Sequence, residues 1–274
     1  MGICCAVEDE NDNIEVDLPA PSLEKIADKY QRFELSLPFC RTKINHFAKH
    51  IDEAERDCGS KGYVTVEAMG RRFRTPAWNA LRKTGGPLKK LLASNHFKDP
   101  AKDQTAFQMD ADYLKIFGLL YCGGSPEQKA HVLYELIQDG GMDQHTQVAA
   151  EDKDFPPVFK KLVEFASTAS FDLANLIGEV PWIYNDDEVA ELTDKHTILR
   201  EEHYLDVMFG MYSRLQNDDW MAASCKKENT WIFSAPELRK KLFMEAGIDQ
   251  RHHMKTLELV KMVRRKSKIN IEID

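Results

Sequence analysis

Apolar residues along this chain recur three or four positions apart almost everywhere, which is the spacing of residues on one face of an α-helix. The alternating pattern of a half-buried strand is essentially confined to residues 63–67. The pattern therefore predicts an all-α protein. We expect its helices at residues 23–33, 44–57, 69–78, 88–97, 107–121, 126–137, 152–170, 186–195, 199–215, 235–246 and 249–265.

Several of these helices carry clear start and stop signals. Ser125 followed by Pro126 combines a helix-capping residue with proline at the first helical position, and Ser234 with Pro236 gives a similar signal. A helix, a short loop containing Gly or Asp, and a second helix recur around residues 57–62 and 139–146. This recurrence predicts stacked helical hairpins.

Composition along the chain suggests three parts. Residues 1–21 are acidic and poor in apolar residues, so we expect a flexible arm. Residues 22–122 form a predicted N-terminal helical lobe, and residues 123–274 form a predicted C-terminal lobe. The second lobe ends in a basic helix end, where Lys261, Arg264, Arg265, Lys266 and Lys268 either favour the helix dipole or contact an anionic membrane.

The first residues favour N-terminal acylation. Removal of Met1 exposes Gly2, the amine that N-myristoylation uses, although Ala6 stands where Ser or Thr is usual. One myristoyl chain binds membranes only reversibly, and Cys4 and Cys5 offer thiols for a second, palmitoyl anchor. The sequence therefore predicts a lipoprotein associated with a membrane. The alternative is an unmodified tail.

The segment around residues 57–68 has the order of a calcium-binding loop, with Asp57 at the first position, Gly62 at the sixth and Val64 at the eighth. The third, fifth and twelfth positions should supply oxygen ligands, but they are Gly59, Lys61 and Ala68. Only Asp57 and Thr65 remain as candidate metal ligands. We expect a degenerate loop with no cofactor beyond weak binding of calcium.

These features resemble the EF-hand superfamily, and in particular its N-acylated branch that includes the neuronal calcium sensors and calcineurin B. A weaker second unit, in which residues 129–138 lead to Asp139 and Asp143, adds to the resemblance, with Gln144 where Gly is expected and Ala150 at the twelfth position. The resemblance implies paired helix-loop-helix units with short loop strands. It also implies a hydrophobic groove for a partner helix, but not calcium binding.

The methionines suggest where a partner binds. The chain contains ten Met, a little more than usual. Flexible thioether side chains adapt to different partner surfaces. If exposed, Met208, Phe209, Met211 and Met221 would suit the contact with a partner helix.

Composition limits the cellular setting and the partner. The net charge of −8 and a pI near 5.7 argue against nucleic acid as a partner. No apolar stretch approaches the roughly 18 residues of a membrane-spanning helix. The six Cys form no CxxC pair, which is typical of reduced thiols in the cytoplasm.

Sequence motifs give little support to catalysis. There is no phosphate-binding loop, nucleophile elbow, zinc-protease or kinase motif in the chain. Cys122 follows an apolar helix as a buried thiol would, and His46 with His50 lacks a third metal ligand. We therefore expect a membrane-tethered, non-catalytic regulatory or adaptor protein. The alternatives are a soluble helical scaffold component, a genuine calcium sensor, and an enzyme with an unrecognised site.

Overall fold

The computed structural model describes residues 34–59, 61–83, 85–100, 108–137, 147–151, 155–169, 194–210, 212 and 214–245. This part of the chain is mostly helical, as predicted, with two small antiparallel sheets. The α-helices are α1 (Ile44–Cys58), α2 (Val66–Arg72), α3 (Pro87–Leu92), α4 (Ala111–Tyr121), α5 (Pro126–Ile137), α6 (Phe155–Glu164), α7 (His196–Arg200), α8 (Asp206–Phe209), α9 (Asn217–Ser224) and α10 (Ala235–Glu245).

Shorter elements complete the described fold. The strands are β1 (Tyr63–Thr65), β2 (Gln108–Asp110), β3 (Gln147–Ala149) and β4 (Arg214–Gln216). Single 3₁₀ turns lie at Pro38–Arg41, Pro76–Arg82, Asn95–Phe97 and Thr230–Phe233, and π-helical turns lie at Phe165–Ala169 and Glu201–Leu205.

β1, β2 and β4 are each followed directly by a helix, and the strands pair in chain order. β1 pairs with β2, with Val64 opposite Met109, and β3 pairs with β4, with Val148 opposite Leu215. All four of these central side chains are buried. Each short sheet therefore directs its central residue pair into the core and joins two helix-strand-helix segments.

Two of the short strands lie where the sequence predicts helix. β2 lies near the start of the predicted helix 107–121, and β4 overlaps the last two residues of the predicted helix 199–215. The Asp110 carboxylate accepts hydrogen bonds from the backbone N–H groups of Asp112 and Tyr113, which caps α4 and sets its start at Ala111. A strand of three residues is too short to show a period-2 pattern, which is why the sequence did not reveal these strands.

The predicted helix 69–78 also ends early. α2 stops at Arg72 and Phe73 has an extended backbone, with a 3₁₀ turn from Pro76 onwards. Pro76 has no N–H to continue an α-helix and disfavours helical geometry at the residue before it. The result is a sharp change of direction that places an exposed arginine-rich segment beside α1.

Other predicted helices are confirmed at α1, α5 and α10. Ser125 and Gln128 form a reciprocal cap at the start of α5: the Ser125 N–H donates to Gln128 Oε1 at 3.1 Å, and the Gln128 N–H donates to Ser125 Oγ at 3.4 Å. The predicted arm at 1–21, the helices at 23–33 and 249–265 and most of the helix at 186–195 lie outside the described residues.

Helices α1 and α4 cross at close range around Phe47. A methyl group added to Gly118 in α4 would come within 2.7 Å of the Phe47 ring, so only glycine fits without a shift. The Phe47 ring also packs against a set of aromatic side chains whose ring centroids lie 5.4 to 6.0 Å away, namely Phe39, Phe73 and Trp78. This crossing forms the centre of the N-terminal core.

The hydrophobic core continues across the predicted lobe boundary at residue 122. One cluster of buried side chains extends from Leu37 to Leu242. Gly123 is tied to the segment before α1, since its N–H donates to Thr42 O at 3.0 Å and its carbonyl accepts from the Ile44 N–H at 2.8 Å. The predicted lobes therefore share buried surface in the described part of the chain.

Candidate functional site

The two predicted metal ligands lie at opposite ends of the loop between α1 and α2. Asp57 is in the last turn of α1, and Thr65 is the last residue of β1. Between them, Gly59 has a φ of +65° and Gly62 a φ of +82°. Glycine adopts positive φ without steric cost, so these two residues let the chain reverse from helix to strand.

An arginine occupies the carboxylate at the start of this loop. Arg72 Nε donates to Asp57 Oδ2 at 2.8 Å, and Arg72 Nη2 donates to Asp57 Oδ1 at 2.5 Å. A second carboxylate, that of Glu53, lies 3.4 Å from Arg72 Nη1. The hydrogen bond from Arg72 lowers the pKa of Asp57, and the same bond raises the pKa of Arg72.

The other oxygens of the loop bond to the chain itself. Thr65 Oγ1 accepts a hydrogen bond from the Ala68 N–H at 3.1 Å and so caps α2. Glu55 Oε1 accepts a hydrogen bond from the Gly62 N–H at 2.6 Å. Asp57 and Thr65 therefore already have partners within the protein.

The loop offers few further oxygen ligands. Calcium takes six to eight oxygen ligands. Lys61 and Gly59 are exposed and supply no side-chain oxygen, and Ala68 is buried. Among the described residues, no group of three or more His, Cys, Asp or Glu is placed to hold a metal ion.

The second predicted loop is only partly described. Asp139, Asp143 and Gln144 lie outside the described residues, whereas Ala150 lies in a turn. Numbering that loop from Asp139 would place its eighth residue at 146, but the residue at the centre of the sheet is Val148. The strand is therefore two residues later than the sequence frame predicts.

Sequence reasoning did not single out the basic cleft beside the first loop. An open surface cleft of about 370 Å³ is lined by Asp57, Arg71, Arg72 and Arg74. Arg71 and Arg74 are exposed, and Arg74 Nε donates to the Arg71 carbonyl at 2.9 Å. The signal in the sequence is the run of three arginines within residues 71–74, which the acidic overall charge obscured.

The predicted partner-binding residues are mostly inside the protein. Met208 and Phe209 are each only 4% exposed, and Met221 is half-buried against the core. Met211 lies outside the described residues. The exposure that the partner-contact hypothesis requires is therefore not found at Met208 or Phe209.

The predicted acylation residues Gly2, Cys4 and Cys5 lie outside the described residues, as does the basic cluster at 261–268. Within the described part of the chain, no helix is long and apolar enough to cross a membrane.

The residues considered for catalysis or metal binding have ordinary surroundings. Cys122 is buried, and burial raises the pKa of its thiol, so the reactive thiolate is disfavoured. His131 lies 3.4 Å from Glu135 at the surface. His50 Nδ1 lies 3.4 Å from Glu53 Oε2, while His46 is exposed.

Comparison with known proteins found no matching family model, and no similar curated protein or solved structure.

Proposed function

We propose that this protein is a non-catalytic regulatory or adaptor protein of the EF-hand type, with degenerate calcium loops and a fold that does not depend on calcium. It acts through protein contacts and is tethered to a membrane by acyl groups on its N-terminus. Its location in the cell is the cytoplasmic face of that membrane.

The paired strands are the observation that carries the proposal. Val64, at the eighth loop position, pairs across an antiparallel sheet with Met109, and both side chains are buried. Val148 and Leu215 repeat this arrangement further along the chain. Helix-strand-helix segments joined in pairs through a buried central residue are what the EF-hand resemblance implies.

The Asp57–Arg72 ion pair supports calcium independence. A guanidinium group supplies positive charge and two hydrogen bonds to the carboxylate, which a calcium ion would otherwise neutralise. The remaining loop positions add no side-chain oxygen at Gly59, Lys61 or Ala68. Arg72 therefore fixes the first loop position without a metal.

Calcium titration tests this part of the proposal. We expect the intrinsic tryptophan fluorescence and the calorimetric heat of the wild-type protein to stay flat on addition of calcium. A Gly59→Asp/Lys61→Asp/Arg72→Ala variant adds two carboxylates and removes the competing cation, so we expect it to gain a calcium response. Saturable micromolar binding by the wild type would overturn the proposal in favour of a genuine calcium sensor.

Intact mass measurement tests the membrane tether. Protein expressed in a eukaryotic cell should carry a myristoyl group that the Gly2→Ala variant lacks, and a Cys4/Cys5 double substitution should lose any palmitoyl mass. An unmodified wild-type mass would favour the soluble scaffold component instead.

The proposed protein partner requires a rearrangement in the second half of the chain. Met208 and Phe209 are buried, so a partner helix can reach them only if α8 moves away from the core. Val207 in the same helix is 45% exposed and gives the partner a first apolar contact. Hydrogen exchange of residues 206–209 should increase when the true partner binds.

A further inference from the structure

Basic side chains concentrate around the first loop of an otherwise acidic chain. The whole chain has a formal charge of −8. Yet the end of α1, the loop and the end of α2 together carry a set of positively charged residues, four of them exposed: Arg56, Lys61, Arg71, Arg72 and Arg74. Residues 53–74 also contain four acidic side chains, those of Glu53, Glu55, Asp57 and Glu67, so their net formal charge is +1, against −8 for the whole chain.

Two of these arginines have no ion-pair partner in the described part of the chain. Arg72 is paired with Asp57, which leaves that pair neutral. Arg71 and Arg74 form no ion pair with any residue in the described part of the chain. The four residues that line the cleft, Asp57, Arg71, Arg72 and Arg74, carry a formal charge of +2, and the Glu53 carboxylate 3.4 Å from Arg72 Nη1 lowers the local charge to about +1.

The cleft is partly organised before any ligand binds. The bond from Arg74 Nε to the Arg71 carbonyl fixes the direction of the Arg74 side chain at the end of α2. The bidentate bond to Asp57 fixes Arg72 in the adjacent wall. Holding cationic side chains in place in advance reduces the entropy that a ligand must overcome on binding.

Arginine in this arrangement is suited to a phosphate group. The planar guanidinium presents N–H donors in a fork that matches two oxygens of a phosphate or of a carboxylate, and a phosphate monoester carries up to two negative charges where a carboxylate carries one. Asp57 in the wall disfavours a ligand that spreads negative charge along the cleft. The ligand chemistry that fits is a compact group with two charges.

We propose that the cleft formed by Asp57, Arg71, Arg72 and Arg74 binds a phosphate monoester, with Arg71 and Arg74 contacting the phosphate oxygens and the Asp57–Arg72 pair forming its wall. Two sources supply this chemistry, a phosphorylated lipid headgroup and a free phosphate ester. With the lipid source, the cleft would hold the first helix pair against the membrane to which the proposed acyl groups tether the chain.

Full-length protein made in bacteria, which is not acylated, allows the cleft to be tested apart from the membrane tether. The soluble probe is glycerol 3-phosphate, a phosphate monoester, measured by calorimetry. The membrane probes are phosphatidylcholine vesicles containing phosphatidylinositol bisphosphate, and vesicles containing enough phosphatidylserine to match their surface charge. We expect saturable binding to the soluble probe with one site per chain, and stronger binding to the bisphosphate vesicles than to the charge-matched ones.

The test variant is Arg71→Ala/Arg74→Ala, and the matched control is Lys226→Ala/Lys227→Ala. Lys226 and Lys227 are exposed and do not line the cleft, and both variants remove two positive charges. We expect the arginine variant to bind at least about tenfold more weakly than the wild type, because two charge-assisted contacts are lost. The lysine variant should bind about as tightly as the wild type. Circular dichroism should show that both variants remain folded.

Each outcome decides the proposal. Tighter binding to bisphosphate vesicles than to the soluble probe identifies the lipid headgroup as the source, and the reverse identifies a free phosphate ester. Absence of saturable binding overturns the proposal, as does an equal loss in the two variants, which would indicate nonspecific attraction. The mass measurement of acylation does not depend on any of these results.

Discussion

The first half of the molecule (residues 44–121) and the second half (residues 126–245) each contain one two-stranded sheet and an aromatic core, but they differ in how fully their buried polar atoms are hydrogen-bonded. The first half is centred on aromatic rings around Phe47. In the described residues, five buried side-chain nitrogen or oxygen atoms have no hydrogen bond of ordinary geometry. One, Ser94 Oγ, lies in the first half, and four lie in the second: Tyr204 Oη, Ser224 Oγ, Asn229 Oδ1 and Trp231 Nε1.

The helices of the second half are also less regular than those of the first. Both described π-helical turns, Phe165–Ala169 and Glu201–Leu205, lie in the second half. Such turns frequently lie at functional sites, and an unsatisfied buried polar group costs free energy. Within the described residues, the second half is therefore less regular in its helices and less fully hydrogen-bonded in its core than the first half. This difference fits the proposal that a partner acts on α8.

The largest expected effect is that of removing the Phe47 ring. Phe47→Ala should lower the free energy of unfolding by about 3 to 5 kcal/mol, because the surrounding rings cannot close the cavity. Phe159→Ala removes a ring that lies 5.5 Å from Tyr204 in the second half, and we expect a loss near the lower end of that range. Urea unfolding of both variants measures the difference. A greater loss for Phe159→Ala would contradict the comparison.

Adding a methyl group to the first core should also destabilise it. Gly118→Ala forces a Cβ to 2.7 Å from Phe47 and should cost about 1 to 3 kcal/mol. Gly70→Ala is the matched control, since its new Cβ has no atom within 4 Å in another helix. We expect the control to gain about 0.5 to 1 kcal/mol from helix propensity. Thermal unfolding of the pair should therefore show shifts of opposite sign.

Hydrogen-bond deletions should distinguish the two halves. Trp78 Nε1 donates to Thr42 Oγ1 at 3.0 Å, so Thr42→Val leaves a buried donor unpaired and should cost about 1 to 2 kcal/mol. The Tyr204 hydroxyl has no hydrogen bond of ordinary geometry and interacts only weakly with Ser224, so Tyr204→Phe should keep stability within about 0.5 kcal/mol of wild type or raise it. A substantial loss from Tyr204→Phe would show that this hydroxyl has a strong partner.

The smallest expected effect is a loss of stability at acid pH from the contact between His96 and Glu164, which joins the two halves. Glu164 in α6 accepts a hydrogen bond from His96 at 2.7 Å and lies 2.7 Å from Lys161. Burial would raise the pKa of Glu164, but these two partners outweigh burial and lower it. A lowered pKa means that the stabilisation is complete above the ordinary carboxylate pKa and is lost as pH falls through the lower, folded value.

The variant Glu164→Gln checks this contribution. Its unfolding free energy should fall less steeply with acid than that of the wild type, because the titrating carboxylate is gone. Equal acid dependence in the two proteins would assign the acid sensitivity to other groups.

Part of the fold could be predicted because its causes are local. The helical spacing of apolar residues predicted α1, α5 and α10, and the Ser125 and Pro126 signal marked the start of α5 correctly. The turn at Gly62 was predicted from the loop pattern. These features depend on side chains within a few residues of one another, so the sequence contains their physical cause.

Part of the candidate site could not be predicted, because it depends on distant residues. Asp57 was a candidate metal ligand in a degenerate calcium loop, and the sequence did not show that folding brings Arg72, fifteen residues away, to its carboxylate. Likewise, Met208 and Phe209 were candidates for an exposed surface, but packing buried them.

The sequence by itself determined that this protein is mostly helical, where many of its helices begin and which loop departs from a calcium-binding pattern. The tertiary structure decided that the short strands pair, that an arginine holds the first loop carboxylate and that uncompensated arginines share a cleft. The physical reason is that helix formation is governed by neighbours along the chain, whereas ion pairs, strand pairing and burial depend on which distant segments meet.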